Sequence, residues 1–375
     1  MDRTRIAVGC MTGTSLDGLD AACVAIDGSG LSMHARFLAG VSRPLGDLAK
    51  SLRPLAQQTP TTAGDIAKIA SAFTTMHAAA VRDVLVKASL STCDLICVHG
   101  QTVFHAPPHS WQLFQPAPLA LALNAPVVFD LRQADLAAGG QGAPITPLAD
   151  WVLFRDQSLS RVVINLGGFC NITRLPAACT PEQVAARDVC ACNQVLDAVA
   201  RFVLDRPFDE GGRAASTGHA HAGATADIAE SLAGQAQAAG RALGTGDELY
   251  DFAQRWRGRL TPADIAASAA SAVASTIAKA CQNGDELILA GGGVKNAALV
   301  SELTGAARRL SPNVQVRLCS DLGIPCEMRE AACFAVLGAL CQDHVPITLP
   351  QVTGVASPAP IGGCWCPAPF PKANP

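Results

Sequence analysis

Three apolar runs in this chain lead into glycine, and that punctuation limits the fold more than any other feature. Arg161-Val-Val-Ile-Asn-Leu166 meets Gly167-Gly168, Glu286-Leu-Ile-Leu-Ala290 meets Gly291-Gly-Gly293, and Ile6–Cys10 leads to Gly13 and Gly18 through a short polar segment. Each run has the length of a strand, and each is followed by a residue that lets backbone approach a ligand closely. Helical segments alternate with the runs. This is the pattern of α/β layers that take ligands at the carboxyl ends of their strands.

Further elements fit the same plan. Ala21–Ile26 reads as the partner of Ile6–Cys10 in a tight β-hairpin, with Gly13 and Gly18 supplying unusual φ values. Residues 62–88 carry Ile66, Ile69, Phe73, Met76, Ala80 and Val84 at spacings of three and four, so a helix is expected there, capped by Thr62. Strands are expected at Asp94–Val98, Val127–Leu131 and Val314–Leu318. Helices are expected at Asn193–Asp205, after Thr261, at Asn296–Leu310 and at Cys326–Cys341. Asp209–Gly212 and Ser216–Ala226 read as loops, and the proline-rich tail after Thr348 as irregular. A weak internal echo joins Val162–Gly168 to Leu287–Gly293 and suggests two lobes built on similar lines.

Composition removes several classes. The 375 residues suit two or three domains or one large two-lobed enzyme, and 49% hydrophobic against 16% charged residues argues against disorder. The net charge is −3 with no basic stripe, so no nucleic-acid partner is expected. No apolar run reaches the ~18 residues of a membrane span, and the chain enters a strand pattern at once, so no signal peptide is expected. A cytoplasmic protein with no membrane partner is the expectation. Its 15 cysteines then read as reduced, mostly buried thiols. The pairs Cys190-Ala-Cys192 and Cys364-Trp-Cys366 lack the doubled spacing of a structural zinc site.

The loop Gly13-Thr-Ser-Leu-Asp-Gly18 has two readings. Its amides and hydroxyls suit phosphate oxygens, with Asp17 and Asp20 placed for Mg²⁺, or it is an ordinary turn bonded to its own backbone. The loops Asn165–Asn171 and Gly291–Asn296 allow close approach of a nucleotide. A P-loop, a GxGxxG after the first strand and a GxSxG elbow are all absent.

The combination resembles the anhydro-N-acetylmuramic acid kinase family. It is carried in order by Met11-Thr-Gly-Thr-Ser-Leu-Asp-Gly18, His99-Gly-Gln-Thr-Val-Phe-His105, Gly139-Gly-Gln-Gly-Ala-Pro144, Asn165-Leu-Gly-Gly-Phe-Cys-Asn171, Gly291-Gly-Gly-Val-Lys-Asn296 and Val352-Thr-Gly354. The resemblance covers residues 6 to 367 and extends to levoglucosan kinase, a relative in the sugar kinase/Hsp70/actin superfamily. It implies an α/β protein of two RNase H-like lobes, of the actin/hexokinase type, with ATP in a cleft between them. The lobes are expected at 1–131 plus 345–375 and at 132–344. The implied reaction opens the 1,6-anhydro ring with water and phosphorylates O6, giving N-acetylmuramic acid 6-phosphate and ADP in cell-wall sugar recycling. The family also suggests a homodimer.

By position, the resemblance makes Asp188 the catalytic aspartate and Glu330 a second catalytic acid. It places ATP and Mg²⁺ on Gly13, Thr14, Ser15, Leu16, Asp17, Gly18, Leu19 and Asp20, with Asp17 as metal ligand. Gly167, Gly168, Asn171, Gly291, Gly292, Gly293 and Asn296 complete the nucleotide set. The sugar falls to His99, Gln101, Thr102, Arg132 and Asp135. The family's Asp-Thr-Gly-Pro-Gly-Asn reads Asp188-Val-Cys-Ala-Cys-Asn193 here, so both glycines are cysteines. Cysteine is strained where glycine had positive φ. That departure leaves two alternatives: another anhydrosugar such as levoglucosan, or a non-catalytic sugar- or nucleotide-binding homologue. His99, His105 and His109 read as packed or hydrogen-bonded rather than metal-binding.

Overall fold

A computed structural model describes residues 3–13, 15–237, 255–356 and 359–370. The chain divides into two compact units. The first holds Met1–Phe154, Thr180–Val184 and Gly323–Pro375, and the second holds Arg155–Cys179 and Ala185–Leu322. The boundaries differ from those expected, because residues 132–154, 180–184 and 323–344 belong with the first unit.

In the first unit, β1 (Arg5–Thr12), β2 (Gly18–Asp27) and β3 (His34–Pro44) form an antiparallel meander. β4 (Leu95–Val98) lies parallel to β1 on its other side. β5 (Gln101–Ala106) and β6 (His109–Leu113) make a separate hairpin, and β7 (Val127–Phe129) runs parallel to β4. The tail, expected to be irregular, adds Cys364–Cys366 as an edge strand antiparallel to β7.

Side-chain alternation along β1 gives this sheet two apolar faces. Val8 and Cys10, with Ile96 and Val98 of β4, join one core cluster with Phe73, Val81 and Val84 of the helix Ala63–Lys87. Thr62 caps that helix, accepting from Asp65 N at 3.2 Å. The opposite face receives the helix Arg329–Gln342, which a short turn at Cys326–Met328 leads into. Contact there is backbone to backbone: a Cβ on Gly9 would collide with Ala331 O and Ala335 N. On the helix side, a Cβ on Gly338 would lie 2.6 Å from Cys97 Cβ.

In the second unit, β8 (Arg161–Leu166), β9 (Phe169–Leu175) and β10 (Ala185–Ala191) are again an antiparallel meander. β11 (Glu286–Ala290) and β12 (Gln315–Leu318) follow in parallel on the far side of β8. Its strand order, β10-β9-β8-β11-β12, repeats the β3-β2-β1-β4-β7 of the first sheet. Both are RNase H-like sheets, so the fold is one topology used twice. The echo seen in the sequence is not this repeat: β8 and β11 are neighbours in a single sheet. They resemble each other because both are central parallel strands buried on two faces.

Other expectations are corrected locally. Of Ser216–Ala226, read as a loop, only residues 218–221 are loop; the ends lie in the helices Arg213–Thr217 and Ala222–Gln237. The helix from Asn193 is α-helical only to Val199, then widens into a π-turn over Ala200–Leu204. Among the described residues, no helix is long and apolar enough to cross a membrane. The cysteines are free, and all but Cys364 and Cys366 are buried.

The Gly9 contact gives a direct test. Gly9→Ala is expected to cost about 2 kcal/mol or more by overpacking, read as a lower urea midpoint, while Gly64→Ala, in an uncrowded helical position, leaves the midpoint unchanged or raises it.

Candidate active site

The second unit's polar residues lie in one row across its sheet. Asp188 on β10 pairs with Asn171 on β9, Asn171 with Asn165 on β8, and Asn165 with Ala290 on β11, just before Gly291. A β-bulge falls between Asp188 and Cys190, whose partners Asn171 and Cys170 are consecutive. In a regular strand, residues two apart share a face. The inserted residue breaks that rule, so Asp188 is exposed while Cys190 is buried at 1%.

The cysteines at 190 and 192 therefore do not wall off the acid. Both enter the second core cluster beside Cys170, Val195 and Ile172. Neither has positive φ, and Cys192 sits at φ −122°. The strain expected of a cysteine at a glycine position is absent, because the backbone there does not use glycine's extra freedom. Burial pushes the Cys190 thiol up to about 12, so it stays protonated and behaves as a small hydrophobe.

The glycine loops are fastened to this row. Gly168 O accepts from Cys192 N at 2.8 Å and from Gln194 N at 3.3 Å, while Gly167 O accepts from Asn193 N at 3.1 Å. The loop after β8 thus locks onto the start of the helix Asn193–Val199. Gly291 has φ +86°, and a Cβ there would lie 2.6 Å from Asn165 Oδ1. A Cβ on Gly293 would meet Leu166 Cβ at 2.7 Å, whereas Gly292 faces open space. Asn296 caps the helix Ala297–Leu310, accepting from Leu299 N at 3.0 Å. Asp209 takes Ala214 N and Ala215 N, both at 2.9 Å, and is a helix cap.

In the first unit, the turn between β1 and β2 closes with Leu16 N donating to Gly13 O at 3.3 Å. The unusual φ expected of Gly13 and Gly18 falls instead on Leu16, at +60°, whose side chain is anchored in the core. Ser15 and Asp17 are exposed, Gly13, Gly18 and Asp20 are half-buried, and Leu19 is buried. Thr14 lies outside the described residues.

Three of the five residues expected at the sugar are nearly buried: His99, Gln101 and Asp135. His99 Nδ1 donates to Gly100 O at 2.9 Å, leaving Nε2 to accept from Arg132 Nη2 at 2.9 Å and Nε at 3.2 Å. Burial, reinforced by the Arg132 charge, pushes this imidazole down to about 3. Arg132 Nη1 donates to Gly142 O, so the guanidinium is oriented from two sides. Asp135 accepts from Gly142 N and Thr353 Oγ1, both at 2.7 Å. It is a pin for the glycine loop 139–144 and for the Val352-Thr-Gly354 segment, rather than a presented ligand. Arg132 and Thr102 keep partial exposure. His105 Nδ1 bonds Ser110 Oγ at 2.8 Å.

Glu330 opens the helix Arg329–Gln342 and is half-buried. Burial raises its carboxyl above the usual carboxylate range; Arg329 and Arg132 oppose this, and Asp20 and Asp150 add to it. Sequence reasoning missed Arg329 and Asp150, which pair in the interior. A signal was present: Asp150 is the lone charge in the apolar helix Pro147–Phe154.

A doubled RNase H-like topology with glycine turns at strand ends is the architecture of the sugar kinase/actin class. Comparison with known proteins makes the class specific. The family model described as anhydro-N-acetylmuramic acid kinase matches residues 5–367. Proteins of that name are similar along their whole length: 36% identity for that of Salinibacter ruber, covering 97% of each chain. The Gloeobacter violaceus protein is 33% identical over 96% of this chain and 98% of its own. For Shewanella frigidimarina the values are 32%, 97% and 99%. The chain belongs to the anhydro-N-acetylmuramic acid kinase family.

The His99 assignment predicts a pH effect. The unfolded chain takes a proton near 6.5, which folded His99 refuses until about 3. This residue's contribution to stability is therefore lost as pH falls through that window, at ~1.4 kcal/mol per pH unit. The His99 ring resonances are expected to stay flat from about pH 8 to about pH 5; a midpoint near 6.5 contradicts the assignment.

Proposed function

We propose that this chain is an ATP-dependent kinase that opens 1,6-anhydro-N-acetylmuramic acid with water and phosphorylates O6 in the same turnover. Its products are N-acetylmuramic acid 6-phosphate and ADP. The observation that carries the reading is the exposed Asp188 carboxylate, turned out by its bulge and standing in one row with the residues that lead to the glycine loops.

The chemistry has two linked halves. Asp188 takes a proton from water as the oxygen attacks the anomeric carbon. The C1–O6 bond breaks, and O6 leaves with its electron pair to attack the γ-phosphorus of ATP, releasing ADP. Asp188 then returns its proton to solvent. The bridge oxygen is a poor leaving group in water, and phosphoryl transfer removes its developing negative charge. Glu330, raised by burial, contributes a second acid on the sugar side. Arg132, held by His99 and Gly142 O and partly exposed, supplies the cation on the sugar side.

The nucleotide residues fit their part. Gly291, Gly292 and Gly293 combine close packing on one side with open space at Gly292, which suits a phosphate or ribose against bare backbone. Mg²⁺ arrives with ATP and needs only one or two protein carboxylates. The exposed Asp17 beside the β1–β2 turn would supply one, and a bound ion would offset charge on the transferring phosphoryl group.

Incubation with MgATP and 1,6-anhydro-N-acetylmuramic acid is expected to yield sugar 6-phosphate and ADP in equal amounts. Asp188→Asn should lower kcat by at least about 100-fold with the fold intact. Turnover unchanged in that variant, or ADP formed without sugar phosphate, would count against the reading. Asp17→Asn should chiefly raise KM for MgATP, with an optimum at higher Mg²⁺; an unchanged KM removes Asp17 from the metal site.

A further inference from the structure

The helix that starts at Arg329 carries a buried charge that the reaction above does not use. Arg329 is 1% exposed and Asp150 is fully buried. Arg329 Nε donates to Asp150 Oδ1 at 2.9 Å, and Nη2 donates to Asp150 Oδ2 and to Thr146 Oγ1 at 3.4 Å. Cys333 Sγ, one turn along the same helix, points to Asp150 Oδ1 at 3.6 Å. Among the described residues, Nη1 is buried without a hydrogen-bond partner.

A pair of this kind is a weak device for stability alone. Removing two charges from water costs most of what their attraction returns, and an unsatisfied guanidinium proton adds to the cost. Its placement is informative instead. Asp150 belongs to the helix Pro147–Phe154, which follows the glycine loop 139–144. Arg329 directly precedes Glu330 in the first turn of its own helix.

We propose that Asp150 and Arg329 are positioning residues: their two-pronged clamp fixes the first turn of the helix Arg329–Gln342 and thereby sets both the direction and the charge surroundings of the Glu330 carboxylate. The proposal rests on the reading that Glu330 acts on the sugar. Charges that bear on Glu330 include Arg329 and Arg132, which favour its anion, and Asp20 and Asp150, which oppose it. Asp150 contributes in two ways, repelling the Glu330 anion and holding the adjacent cation in place. The cation itself is secure: burial works against its charge, but Asp150, with Cys333 and Glu330, holds it above the ordinary arginine range. Both clamp residues act through Glu330 and touch no substrate.

Three variants assayed with MgATP and 1,6-anhydro-N-acetylmuramic acid across pH test this. Glu330→Gln identifies the limb of the kcat profile that belongs to Glu330 by abolishing it. Asp150→Asn removes the repulsion and leaves the cation unbalanced, so that limb moves to lower pH by about one unit. Arg329→Lys keeps the charge but loses the planar fork, so the limb stays while kcat falls about tenfold or more at little-changed KM. A limb unmoved in folded Asp150→Asn, or a wild-type kcat in Arg329→Lys, overturns the proposal. If Asp150→Asn does not fold, the Arg329→Lys result decides alone. A Glu330→Gln enzyme with wild-type rate and profile instead defeats the reading of Glu330, a separate outcome.

Discussion

The single inserted residue between Asp188 and Cys190 decides which of the two side chains faces solvent. Without it, strand alternation would turn the acid and the following thiol to the same side. With it, the carboxylate reaches solvent and the sulfur fills the core. The two glycines that the family carries near this acid are thereby replaced at modest cost. What would be strain in a positive-φ turn is ordinary packing of two buried thiols against Cys170 and Ile172. The departure that raised the prospect of another substrate or of lost activity is absorbed by the interior.

Each sheet does a similar structural task with different side chains. In both, an antiparallel meander is extended by two parallel strands, and polar residues gather where the strands end. The second unit offers bare glycine backbone locked by amide bonds to the helix at Asn193. The first offers a polar turn at Ser15–Asp17 and a chain of buried contacts that orient Arg132. In that chain, His99 and Asp135 work as supports. A neutral imidazole accepts hydrogen bonds from a guanidinium, and a carboxylate accepts from a loop amide and from Thr353. Burial makes such bonds strong, and it also keeps these two side chains from the surface.

Much of this was legible in the sequence, and the exceptions have physical causes. Strands β1, β4, β8 and β11 are buried along most of their length and show as mainly apolar runs. The helix Ala63–Lys87 shows through its regular spacing and the Thr62 cap. β3, β9 and β10 were missed because mixed exposure along them blurs the alternation. The doubled topology leaves no repeat in the letters, since each sheet solves its own packing; the echo that was visible came from two neighbours in one sheet. The site residues stood out as motifs, but their orientations did not. Asp135 meets Thr353 across 218 positions, and Arg329 meets Asp150 across 179. No local pattern encodes such pairings.

The central claim is that water attacks carbon while the bridge oxygen takes the phosphoryl group. A single turnover in ¹⁸O-labelled water, with MgATP and the anhydrosugar and quenched before the anomeric hydroxyl exchanges with solvent, tests it most directly. The account predicts label at C1 of the sugar phosphate and none in its phosphate. Label in released inorganic phosphate, with the anhydro ring intact, would contradict it.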